Sequence, residues 1–237
     1  MSALHGDNVV DRSANTPWYE GTSLLHHLEE VHIASDRNLI DCRFPVQYVI
    51  RPRDDNHHDY RGYAGQVASG SYKVGDDVVV LPSGFTSTVA SIDTADGPVE
   101  EAVPPMSVTI RLADDLDVSR GDMICRPHNQ PKIGQDIDAM LCWFGERAAL
   151  KAGGKYALKQ TSKWTRALVK DLHYRLDVNT LHRDERADSL SLNEIGRVTL
   201  RTTAPLFSDD YRRNRATGSF ILVDEARNDT LAAGMIL

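Results

Sequence analysis

Aspartates and histidines crowd one short stretch of this 237-residue chain: Asp54, Asp55, His57, His58 and Asp59. Imidazole and carboxylate together could hold a divalent cation, but zinc sites set their ligands in stereotyped pairs a few residues apart. The run has no such interval, and a polar hairpin loop explains it without a ligand, so no metal is expected. Nucleotide triphosphate chemistry needs a glycine-rich loop ending in Gly-Lys-Ser or Gly-Lys-Thr, whose amides cradle the phosphates. Here Gly153-Gly154-Lys155 runs into Tyr156, without glycine at the earlier position, and no Asn-Lys-x-Asp base reader occurs. Asp59-Tyr60-Arg61-Gly62 spells D-x-x-G but follows no phosphate loop. The paired acids Glu100-Glu101, Asp114-Asp115 and Asp209-Asp210 sit at turn or loop positions, where water is expected to solvate them. His26, His27 and His32 mark a solvated helix face, and no Ser–His–Asp set can be assembled from spacing. No catalytic residue is therefore expected.

Tyr211-Arg212-Arg213-Asn214-Arg215 concentrates positive charge. These arginines either meet an acidic partner or tie a loop to Asp209, Asp210 or a barrel edge. The structural role is the expected one, since ion-rich loops are usually solvated. A net charge of −7 argues against a chain that grips nucleic acid by neutralising phosphates. No apolar run nears the ~18–20 residues that span a bilayer, so neither nucleic acid nor membrane is an expected partner. Cys42, Cys125 and Cys142 are an odd set at wide spacings beside apolar runs. They predict reduced, buried, structural thiols, which fits a cytoplasmic protein.

The elements that carry these residues are mainly β. Only "GTSLLHHLEEV" is convincingly helical, with Leu24, Leu28 and Val31 in a stripe widened by Leu25 and a cap at Thr22 or Ser23. That stripe must pack on something. From Asp41 onward, short runs rich in Val, Ile, Tyr and Thr predict strands: "PVQYVI", "AGQVAS", "DVVVL", "TSTVASI" and "SVTIRL". Turns fall at Lys73-Val74-Gly75-Asp76, Pro82-Ser83-Gly84, Asp96-Gly97 and Ser119-Arg120-Gly121-Asp122. "RPHNQPKIG", Arg126 to Gly134, has the length and prolines of a domain linker. A second all-β series follows: "DIDAMLCWF", "RVTLRTT", "GSFILVD" and "TLAAGMIL". Ala167 to Val178 fits both a helix and a strand, and its β-rich neighbourhood decides for strand. "HRDERADS", from His182, is a charged solvated loop. The two β series share no sequence repeat, and regular short strands predict antiparallel barrels or sandwiches. Met1 to Ser13 lacks the zones of a signal peptide. Ser2-Ala3-Leu4 instead looks like the end of a strand whose earlier partners are missing.

"YRGYAGQVASGSYKVGDDVVVLPSG" followed by "SRGDMI" resembles the second domain of translation-factor GTPases of the elongation factor Tu type. "DVNTL", "LNEIGRVTL" and "NRATGSFILVD" resemble the third domain of the large, GTP-binding subunit of bacterial ATP sulfurylases. "SALHGDNVV" with "PWYEGTSLLHHLE" is similar to the last part of that subunit's GTPase domain. The resemblance covers nearly the whole chain. It implies two consecutive antiparallel β-barrels, at residues 36–127 and 128–237, after a short helical remnant of a GTPase domain at residues 1–35. It further implies that Ser2, Ala3 and Leu4 match the guanine-recognition loop, where a backbone N–H and a supporting serine read the base oxygen. On the same resemblance, the parent enzyme makes adenosine 5′-phosphosulfate and pyrophosphate from ATP and sulfate, coupled to hydrolysis of magnesium-bound GTP. The implied partners are a small catalytic subunit, the chain's own GTPase domain and, in some members, a fused adenylylsulfate kinase. The small subunit's S-G-G-x-D-S type loop does not occur here, so the chain is expected to be non-catalytic. Two alternatives stand beside this reading: a translation-factor fragment that binds tRNA or ribosome, and an autonomous two-barrel binding module.

Overall fold

The computed structural model describes residues 1–31, 37–52 and 60–237. Two compact units divide the chain, Met1–Arg37 and Asn38–Leu237. In the first, helix α1 spans Leu24–Glu30 and Ser23 is its cap, with the serine hydroxyl accepting from the His26 amide. A side-chain cap satisfies one of the amides that a helix start leaves without a partner. Most of the stripe predicted to pack is uncovered: Leu25, Leu28 and Val31 are 43%, 60% and 42% exposed, while Leu24 is half-buried.

The second unit holds two closed barrels. The first uses β1 (Phe44–Ile50), β2 (Gly62–Gln66), β3 (Asp77–Leu81), β4 (Thr86–Thr94), β5 (Ser107–Leu112) and β6 (Met123–Cys125). Their order round the ring is β3-β6-β1-β2-β5-β4, and β4 pairs back to β3. The second uses β7 (Lys132–Trp143), β8 (Lys155–Gln160), β9 (Lys163–Leu176), β10 (Ile195–Ser208), β11 (Ser219–Val223) and β12 (Thr230–Ile236). Here the order is β8-β11-β12-β7-β10-β9, closed by β9 on β8. All of these pairings are antiparallel. The barrels thus share strand number and closure but not winding order.

Alternation explains each core. Phe44, Val46, Val78, Val80, Ile110 and Ile124 fill the first barrel, around a fully buried Tyr72 whose hydroxyl donates to the Ile124 carbonyl at 2.7 Å. Ile137, Ala139, Leu141 and Trp143 point into the second, at 4%, 0%, 0% and 1% exposure. The ambiguous Ala167–Val178 run is strand through Leu176, because its inward residues Ala167 and Val169 fill that core. Cys142 lies on the other face of β7 and is only half-buried, which corrects the expectation for that thiol; Cys42 and Cys125 are buried, and all three are free.

Two loops hold more structure than their composition suggested. Lys132-Ile133-Gly134 already belongs to β7, so the predicted linker shrinks to a turn bridged by Arg126 and Asn129. "HRDERADS" contributes Arg183–Asp184, which pairs with the end of β9, and Ser189–Leu190, which pairs with Leu150–Lys151. The predicted turns at residues 73–76 and 119–122 share one device. A glycine at positive φ (Gly75 +89°, Gly121 +94°) lets the following aspartate accept from the amide three residues back, Asp76 from Lys73 and Asp122 from Ser119.

Candidate functional site between the barrels

β3 and β6 are buried on both faces. Val78, Val80 and Ile124 point into their own barrel, while Val79, Leu81, Met123 and Cys125 point out and pack with Phe207 of β10. Burial pushes the Cys125 thiol up to about 12. Beside this apolar seam, Lys163 of β9 lays its ammonium over the Phe207 ring at 4.2 Å and faces Asp122 of the first barrel. Burial lowers the Lys163 pKa and raises that of Asp122, each partly opposed by the other's charge.

Two ion pairs of opposite sense lock the seam. Arg43 of the first barrel donates from Nε and Nη2 to the two carboxylate oxygens of Asp209, both at 2.8 Å, with the side chains 1% and 5% exposed. Its Nη1 donates to the Cys42 and Asn129 carbonyls, and Thr217 donates its hydroxyl to Asp209 at 2.6 Å. Burial works against the charge on Arg43, but Asp209 outweighs it and the pKa is raised. In the reverse direction, Arg213 donates to Asp41 from Nε at 2.7 Å and from Nη2 at 2.6 Å. Burial acts to raise the Asp41 carboxyl; Arg213, Asn38 and Asn129 overcome it and hold the group well below the usual carboxylate range. Asn214 completes the contact by donating to the Ser69 hydroxyl at 2.7 Å. Planar bidentate pairs fix orientation as well as distance, so this seam specifies one arrangement of the barrels.

Within the basic cluster Arg213 and Asn214 take the structural role expected, with the Arg213 side chain reaching Asp41 of the first barrel and not Asp209 or Asp210. Asp209 is buried, which corrects its expected solvation; a guanidinium from the other barrel takes the place of water. Asp114 accepts from the Ser87 hydroxyl, and Asp115 pairs with Arg61. Asp54, Asp55, His57, His58 and Asp59 lie outside the described residues, as does His32.

Ser2, Ala3 and Leu4 form a tight loop within the first unit. The Ser2 amide donates to the Asp7 carbonyl at 3.0 Å, and the Ser2 hydroxyl accepts from the His5 amide at 3.4 Å. Gly6 and Asn8 both take positive φ to turn the chain, and buried Asn8 binds Ser13 and Thr16. Ala3 and Leu4 are left exposed.

All 237 residues align with the bifunctional enzyme CysN/CysC of Mycobacterium tuberculosis (strain H37Rv) at 60% identity, and with sulfate adenylyltransferase subunit 1 of Bacteroides fragilis (strain YCH46) at 49%. The chain is homologous over its full length to sulfate adenylyltransferase subunit 1. It spans 39% of the first of these relatives and 48% of the second. Residues 136–237 also match the family model described as GTP-eEF1A C-terminal domain-like. The solved structure of Sup35 complexed with GMPPNP superposes on the whole chain, and on 57% of its own, with a TM-score of 0.73 and 23% identity. That likeness concerns the fold: two barrels of translation-factor type. The residues that sequence reasoning missed are Asp41 and Arg43. Their signal was two charges flanking Cys42 at the entry to an apolar strand.

Proposed function

We propose that this chain is the two-barrel part of the large, GTP-binding subunit of a cytoplasmic sulfate adenylyltransferase. In this reading residues 1–35 end the GTPase domain, residues 36–127 form the second domain and residues 128–237 the third. The observation that carries it is identity of about half or more to that subunit along all 237 residues. The parent complex, with its small catalytic subunit, joins ATP and sulfate into adenosine 5′-phosphosulfate and releases pyrophosphate, an uphill step driven by GTP hydrolysis. A fused adenylylsulfate kinase fits the relatives named CysN/CysC.

These residues do not fit a triphosphate or its magnesium ion. The phosphate loop is absent from the sequence, and among the described residues no three metal-ligating side chains converge. Ser2, Ala3 and Leu4 are assigned to the guanine base: in a serine-braced turn whose Ala3 and Leu4 are exposed, a backbone N–H can be offered to the base oxygen. The barrels' own contribution is mechanical. A nucleotide shifts a docking equilibrium only through its different affinity for the two arrangements, and a locked barrel pair passes such a shift on without absorbing it.

The test has two arms. Calorimetric titration of the 237-residue chain with a GTP analogue and magnesium is expected to show no tight binding; tight binding or turnover contradicts the non-catalytic assignment. The longer subunit, reconstituted with its small partner, is expected to release pyrophosphate from ATP and sulfate faster with GTP than without. Release indifferent to GTP sinks the coupling role.

A further inference from the structure

At one rim of the first barrel, three arginines border a cleft of about 380 Å3, where β1 ends, β2 begins and β5 ends. We propose that this cleft binds a small molecule through a sulfate or phosphate group, independently of the function proposed above.

The charge balance of the cleft points there. Arg111 stacks its guanidinium over the Tyr60 ring at 5.0 Å and has no carboxylate within ion-pair distance among the described residues. The two carboxylates that line the cleft among the described residues, Asp114 and Asp115, do not answer it. Asp114 is held by the Ser87 hydroxyl at 2.7 Å. Asp115 reaches Arg61 at 2.7 Å, yet it is 78% exposed, so water screens that pair and an incoming anion can compete for it. Arg61 also keeps its Nε buried with no hydrogen-bond partner. A buried donor left unmade is costly, and an oxyanion brings several acceptors at once. Arg51 lies exposed at the mouth and adds a third positive charge.

Guanidinium forks match the oxygens of tetrahedral oxyanions, and a ring stacked beneath one arginine holds its plane in place. Gly62 is part of that support: a Cβ there would come within 3.0 Å of the Tyr60 ring and hydroxyl. The volume lies within the range of small-molecule sites, whereas a chain with net charge −7 is poorly suited to a long polyanion.

The test is equilibrium binding of inorganic sulfate, inorganic phosphate and pyrophosphate to the 237-residue chain, in about 150 mM chloride to suppress loose surface association. Saturable binding of at least one probe is expected, and the tightest identifies the source of the oxyanion. Arg111→Gln is expected to weaken it about tenfold or more, the loss of a charge-assisted contact. Arg111→Lys, which keeps the charge but loses the fork, should bind between the two. Arg227→Gln, on the second barrel, should bind as the parent does. Circular dichroism and thermal melting establish that each variant is folded. If Arg111→Gln fails to fold, Arg111→Lys carries the decision alone. Absence of saturable binding for all three probes overturns the proposal, as does equal binding by the parent and the folded Arg111 variants.

Discussion

Replacing Asp209 by alanine strands the Arg43 guanidinium, 1% exposed, in the seam between the barrels. Two hydrogen bonds of 2.8 Å vanish, and Thr217 loses the acceptor of its hydroxyl. Burying one ion of a broken pair costs about 3–5 kcal/mol, well above the net worth of the intact pair against apolar residues. For a body of this size each kcal/mol moves the melting temperature by about 2–4 °C, so Asp209→Ala should melt roughly 6–20 °C lower. Differential scanning calorimetry reads the shift, and urea unfolding followed at the tryptophans gives the free energy. The double variant Arg43→Met with Asp209→Leu removes both charges. It should recover at least about 1 kcal/mol over the single variant, though Asn129 and Thr217 stay short of a partner. A single variant melting within about 2 °C of the parent would refute the reasoning, as would a double variant no more stable than the single.

Further tests probe the same seam and its turns. Asp41 has a lowered folded pKa, so its stabilising effect is fully present above the ordinary carboxylate value of about 3.9 and is lost as pH falls through the folded value. Urea midpoints between neutral pH and pH 3 should therefore fall less steeply in Asp41→Asn than in the parent, and equal slopes would remove Asp41 from the account. Gly121→Ala should cost more than about 1 kcal/mol, because φ is +94° and the new Cβ meets the Lys163 Cα at 3.3 Å. Gly84→Ala, at φ +77° with nothing within 4 Å, should cost less in the same denaturation assay. Iodoacetamide at neutral pH, followed by mass spectrometry, should label half-exposed Cys142 first. Cys42 and Cys125, both buried with raised pKa values, should react only on unfolding.

What the sequence made legible was everything governed by neighbours a few residues away. Alternation in "DIDAMLCWF" predicted the inward residues of β7, and the same alternation puts Cys142 on the opposite face, which the grouping of the three thiols overlooked. Ser23 capped its helix as its type suggests. "DVVVL" carried a further message: a strand apolar at Val78, Val79, Val80 and Leu81 without alternation is buried on both faces, here against its own core and against Phe207. The salt bridges were not legible. Arg43 and Asp209 lie 166 residues apart and Asp41 and Arg213 lie 172 apart, so their meeting depends on two barrels closing first and then docking in one register. Composition near Asp209 said only that the loop was charged; it could not say that an arginine of the other barrel replaces water there.

Closure of both rings has a consequence for any protein that approaches them. Each of the twelve main strands has a neighbour on either side round its circle, and among the described residues the strands outside the circles are two-residue appendages such as Arg183–Asp184. A visitor therefore meets, among the described residues, no main strand with a wholly unpaired edge on which to lay a strand of its own. Recognition has to be written in side chains and loop tips, where single substitutions can rewrite the choice of partner without loosening the walls behind them.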